Sequence, residues 1–185
     1  MLADTIMSEN SNEGRLAGIL SQCAAEMLAS LGFQTTILEE AYPAKPASES
    51  IAAFVRFGND NLRGSLTLWG PSKLISRLRP APPVVVPRDL DDWACEMVNQ
   101  AVGRFRNRVA TYGVKVVFNV PRSALAELLR PPTSHQPSWF PISFAIDDMV
   151  LECWIELEAN PGFQLAESPL EEIEAALAEG SIVLF

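Results

Sequence analysis

Residues 90–121 read LDDWACEMVNQAVGRFRNRVATYGVKVVFNVP, and the fold turns on how this stretch is read. Its first two-thirds predict one amphipathic helix. Leu90, Ala94, Met97, Val98, Ala101, Phe105, Val109 and Tyr112 recur at helical spacing and form an apolar arc suited to burial against a sheet. Asp92, Glu96, Asn99 and Gly103 fall at i, i+4, i+7 and i+11. At about 100° per residue they lie within roughly 60° of one another, a narrow polar stripe on the other side. Gly113 is placed to close the helix, and residues 114–120 (VKVVFNV) read as a strand that ends at Pro121. Two carboxylates, one carboxamide and one position without a side chain are thereby held on a rigid rod and turned to solvent.

Two members of the stripe oppose the helix that carries them. A mid-helix asparagine costs several tenths of a kcal/mol relative to alanine, and a glycine costs roughly 1 kcal/mol. Asp92 needs no such explanation, because the helix macrodipole favours an acid in a first turn. Glu96 on an exposed face is ordinarily just solvated. Helix-weakening residues beside a carboxylate are nevertheless a local inconsistency of the kind functional sites show.

Working outward, residues 13–31 predict a second long helix, with Leu16, Ile19, Leu20, Cys23, Met27, Leu28 and Leu31 at helical spacing. Ser11 or Asn12 can cap it and Gly32 stops it. Residues 33–38 are β-branched and read as a strand. Residues 42–50, with Pro43 and Pro46, read as a loop. Residues 51–57 and 62–69 flank Gly58-Asn59-Asp60-Asn61, a run suited to positive φ, and predict a hairpin. A short helix follows over 71–78, with Pro71 early and Lys73 and Arg77 outward. Residues 80–87 (PAPPVVVP) form a stiff extended approach to the main helix.

After Pro121, residues 123–129 suggest a helical turn and 130–141 a Pro- and Ser-rich loop. Residues 142–146 and 149–157 predict a second hairpin around Asp147-Asp148, Cys153 and Ile155 alternating with Trp154 and Glu156. Ser168 can cap a helix over 169–178, ended by Gly180, and 181–185 (SIVLF) form an apolar strand or anchor. The fold class is α+β, a mainly antiparallel β-sheet with two long helices packed on it. The expected organisation is a flexible tail over 1–12 and a single domain over 13–185, with a C-terminal extension after about residue 158.

Composition narrows the function. The chain is long enough for one well-buried core. A net charge of −9 opposes nucleic-acid binding, which needs clustered cations. Cys23, Cys95 and Cys153 are widely spaced and odd in number, so neither a disulfide framework nor a metal site is expected. The sole histidine, His135, lies among Pro and Ser, which argues against a histidine-centred triad. No apolar run has the length of a membrane span and residues 1–12 lack the pattern of a signal peptide, so a cytoplasmic location without membrane contact is expected. Trp69, Trp93, Trp139 and Trp154 read as packing residues. Arg104, Arg106 and Arg108 point in three directions along the helix and make no anion clamp.

The pattern Asp92-x3-Glu96-x2-Asn99-x3-Gly103, followed by a strand and Pro121, resembles the signature of the CheC/CheX/FliY family, phosphatases of phosphorylated CheY-type response regulators. The likeness spans roughly residues 33–157 in its order of elements. The signature occurs once, which resembles the CheX type; the first helix has no Glu-x2-Asn on a corresponding face. The resemblance implies catalytic roles for Asn99, which would place the attacking water, and for Glu96, which would engage a lysine of the receiver. It implies partner contacts at Asp92, Gln100 and Gly103, and a structural role beneath the site for Pro121. It implies no cofactor on this chain, with Mg²⁺ carried by the phosphorylated receiver, and it implies a homodimer. The rival reading is a non-catalytic interaction module of the flagellar-switch type, in which the same stripe only docks a partner. A metabolic enzyme fits poorly, since the sequence has no phosphate-cradling Gly loop.

Overall fold

In the computed structural model, residues 11–38, 49–80, 87–125 and 139–170 are described. Helix α1 (Asn12–Ser30) begins at Ser11, whose Oγ accepts the Gly14 amide at 3.0 Å. It ends in a left-handed Gly32 (φ 90°), where the Phe33 amide reaches back to the Leu28 carbonyl and the Gly32 amide to that of Ala29. The main helix α3 (Pro87–Thr111) closes in the same way, with Gly113 at φ 77° and the Val114 amide on the Val109 carbonyl. Between them lie strands β1 (Thr36–Leu38), β2 (Ser50–Gly58) and β3 (Leu62–Pro71) and the short helix α2 (Ser72–Arg77). After α3 come β4 (Val117–Phe118), β5 (Arg122–Leu125), β6 (Trp139–Ile146) and β7 (Met149–Ala159).

The strands form one antiparallel sheet in the order β1-β6-β7-β3-β2, with β4 and β5 successively along the outer side of β2. The helices pack on one face of it: α3 lies over β2 and β3, α1 over β7 and β6, and the two long helices touch each other. Alternation along each strand separates the faces. Val55, Leu66, Leu68, Cys153, Ile155 and Phe144 point toward the helices and meet Leu16, Leu20, Met97, Val98, Ala101 and Phe105 in the core. The Phe57 and Phe105 rings sit 5.1 Å apart, pinning α3 to β2. The other face carries a smaller cluster of Ala52, Trp69, Trp154 and half-buried Trp139, with Trp69 edge-on to Trp154 at 5.8 Å. On that face Glu152 is buried and accepts the Ser143 hydroxyl, and burial raises its carboxyl pKa.

The α+β class, both long helices and both hairpins stand as expected from sequence. Several local expectations are corrected. Residues 123–125, expected to begin a helical turn over 123–129, belong instead to the strand Arg122–Leu125, because β2 offers an unpaired edge to them. The strand expected over 114–120 narrows to Val117–Phe118, and that expected over 33–38 to Thr36–Leu38, since only there is a neighbouring strand within pairing reach. Trp139 already belongs to β6, so the expected loop ends earlier. The first hairpin turn uses no left-handed residue; Asn59 Oδ1 accepts the amides of Asn61 and Leu62 at 2.8 and 2.9 Å instead. Trp154 is buried as well as Cys153 and Ile155, because β7 is central and Trp69 and Trp139 on the flanking strands pack against it. Tyr112 is only half-buried, while Val102 joins the core.

The N-terminal tail, the loop over 42–48, most of the proline tract, residues 126–129, His135 and the C-terminal helix and strand lie outside the described residues. The chain after β7 is described as far as Leu170. It runs as a strap across the ends of both long helices. Arg15 donates to the carbonyls of Leu165, Ala166 and Glu167, Asn12 bonds Phe163 and Leu165, and the Leu170 amide reaches the Thr111 carbonyl.

Candidate functional site

One register detail sets the geometry of the site. Phe57 pairs with Phe118 and Gly58 with Val117, but Phe54 pairs with Arg122 and Ala53 with Ser123. In-phase pairing would put residue 121 against Phe54, so β4 and β5 are one edge strand interrupted by one extra residue. The Asn119 amide still bonds the Arg56 carbonyl at 2.9 Å, which leaves Val120 and Pro121 together opposite Val55. This is a β-bulge, and it suits a proline, which has no N–H to give to a ladder. The bulge turns the chain outward against the N-terminal half of α3.

Between the bulge and α3 lies an open depression of about 330 Å³. Asp92, Cys95, Glu96 and Asn99 form its helical wall, and Phe118, Asn119, Val120 and Pro121 the other. Three of the four stripe residues and Pro121 are thus brought together. Asp92 and Glu96 are exposed and Asn99 is half-buried. Among the described residues nothing bonds the Asn99 carboxamide, so its donor and acceptor face the depression unclaimed. Gln100 lies beside the stripe, and its Nε2 donates to Glu96 Oε1 at 2.9 Å. Gly103 continues the stripe one turn further on. A Cβ built there meets no atom within 4 Å, so packing inside this chain does not require the glycine.

The electrostatics are one-sided. Two carboxylates line the depression, and among the described residues no cation does. Arg108 makes a two-pronged pair with Glu26 and Arg104 bonds Ser30, both away from the depression, while Arg106 sits 5.3 Å over the ring of Phe118, a residue of its far wall. Cys95 is held protonated, chiefly by burial and then by Asp92 and Asp91, which disfavours a thiolate nucleophile. Cys95, Phe118, Asn119 and Val120 are site residues that sequence reasoning missed. Their only signal was a valine and an asparagine set directly before the signature proline.

This α+β arrangement, one antiparallel sheet with two long helices on one face, matches the fold of CheC-like and CheX proteins. The sequence matches no protein-family model and no curated protein. The likeness is to solved structures. A CheC-like superfamily protein from Shewanella sp. PV-4 superposes with a TM-score of 0.66 at 12% identity, covering 80% of this chain and 99% of that one. The chemotaxis protein CheX from Vibrio vulnificus gives 0.66 at 12%, covering 78% and 99%. CheX from Borrelia burgdorferi, solved in complex with CheY, BeF3 and Mg²⁺, gives 0.57 at 12%, covering 77% and 97%. Among the described residues, no helix is long and apolar enough to cross a membrane.

Proposed function

We propose that this chain is a CheX-type member of the CheC/CheX/FliY family, a phosphatase that removes the aspartyl phosphate from a CheY-like receiver domain. The observation that carries the reading is the unclaimed Asn99 carboxamide beside Glu96, in a depression that no cation lines among the described residues. A free phosphate dianion is repelled by Asp92 and Glu96. A phosphoryl group that reaches Asn99 therefore arrives with its charge already neutralised, as it is on a receiver that carries its own lysine and Mg²⁺.

Phosphoryl transfer of this kind needs positioning more than covalent help. The Asn99 oxygen accepts a hydrogen bond from a water and holds it in line with the phosphorus, while the amide N–H groups steady the phosphoryl oxygens. Water attacks, the bond from phosphorus to the aspartyl oxygen breaks, and the products are the receiver's carboxylate and inorganic phosphate. Glu96, oriented by Gln100, accepts a charge-assisted bond from the receiver's lysine and draws it off the phosphate. Asp92 contributes at the rim, and Gly103 leaves room for the partner's backbone. Action on a receiver places the protein in the cytoplasm; the homodimer belongs to the same proposal.

The deciding experiment follows phosphate release from a phosphorylated CheY-like receiver with Mg²⁺, with and without this protein. Accelerated decay supports the phosphatase. Unaltered decay with measurable binding makes the chain a docking module instead.

A further inference from the structure

We infer that the bulge is the element by which this site selects its receiver, with Val120 as the apolar contact that the partner must cover; this rests on the phosphatase reading above. Val120 is 82% exposed, the most exposed large apolar residue among those described. A single exposed valine on a surface is unremarkable. This one stands on a bulge opposite Glu96 and Asn99, on the rim of the depression they share. Bulges re-aim side chains, and here the extra residue falls at Val120 and Pro121, which line the depression. Any protein surface that brings a phosphoryl group to Asn99 passes over it.

The occupant follows from chemistry. The wall opposite Val120 carries acids and an amide, so the fitting surface presents a cation where it faces α3 and an apolar residue where it faces the bulge. A phosphorylated receiver with its lysine meets the first demand, and its surface beside the phosphorylated aspartate must meet the second. The polar groups of the stripe serve any phosphorylated receiver alike, because each such receiver carries the same aspartate, lysine and Mg²⁺. Discrimination between receivers therefore belongs to the neighbouring apolar contact. Val120 is a specificity residue that leaves the chemical step to Asn99.

The test uses the full chain and a panel of purified CheY-like receivers, each with beryllofluoride and Mg²⁺ for binding and with phosphate for turnover. Val120→Glu should raise Kd and KM for the preferred receiver at least tenfold, about 1.4 kcal/mol. Turnover at saturating receiver should stay within about twofold, and circular dichroism should be unaltered because the side chain is outside the core. Val120→Ile should restore tight binding, and Val120→Thr, of the same shape, should fall between. Asn99→Ala separates the two claims: it should lose turnover with Kd retained. Binding weakened by Val120→Glu without turnover in the parent chain sinks the phosphatase reading and keeps the docking role of the bulge. Equal Kd in parent and Val120→Glu overturns the inference, as does binding to no receiver of the panel.

Discussion

In the proposed phosphatase Asn99 is the residue on which the chemistry rests, and its environment separates two kinds of damage. Asn99→Ala removes the water-holding group from a half-buried position without touching the exposed acids, so receiver dephosphorylation should be lost while affinity for a beryllofluoride-treated receiver is kept. Glu96→Ala should weaken engagement itself, seen as a rise in KM. Equal loss of binding in both variants, with turnover surviving at saturation, would contradict this division. Gly103 yields a prediction of opposite signs. An added methyl meets nothing within 4 Å, so Gly103→Ala should stabilise the fold by about 1 kcal/mol through helix propensity alone. In the proposed complex the same methyl stands where the partner's backbone approaches, so receiver affinity should fall. A variant that is both more stable and as tightly bound would leave Gly103 without a role.

At the scale of elements, the stop of α3 is a backbone device. The C-terminus of the helix depends on Gly113, whose φ of 77° an alanine adopts only under strain. The nearest atom to a Cβ there, Leu170 Cδ1 at 3.4 Å, is in ordinary contact, so the cost is conformational rather than steric. Gly113→Ala should lower unfolding stability by about 1–2 kcal/mol in urea titrations. A loss well below that would mean the helix end can shift without consequence. The periodicity of α3 and its stop were legible in sequence because both are local. The bulge was not: an inserted residue exists only relative to the strand it fails to match, here Val55 on β2. Residues 114–120 accordingly read as one straight strand, and 123–125 as the start of a helical turn.

The whole molecule buries an acid. Glu152 sits on the helix-free face of the central strand, hydrogen-bonded by Ser143, with its pKa raised by desolvation. The folded state therefore holds this proton to higher pH than the unfolded chain does. Stability falls as pH rises through that window, because the native state is the one binding more protons there. Glu152→Gln removes the charge and keeps an acceptor for Ser143. Its thermal stabilisation over the parent should be clear at about pH 8 and vanish at about pH 3, where Glu152 is protonated in both states. A stabilisation equal at both ends would remove Glu152 as the cause.

The amino-acid order alone determined the two helices, the two hairpins, the α+β class and the face of α3 that carries Asp92, Glu96, Asn99 and Gly103. These follow from periods of 3.6 and 2 and from residues that start or stop an element, all of which act over a few neighbours. Tertiary structure decided which strand borders β2, where the extra residue falls, and that Val120 and Asn119 face Asn99 across a gap. Pairing between segments some sixty residues apart leaves no period in either of them, so the second wall of the site became visible only once the sheet had formed.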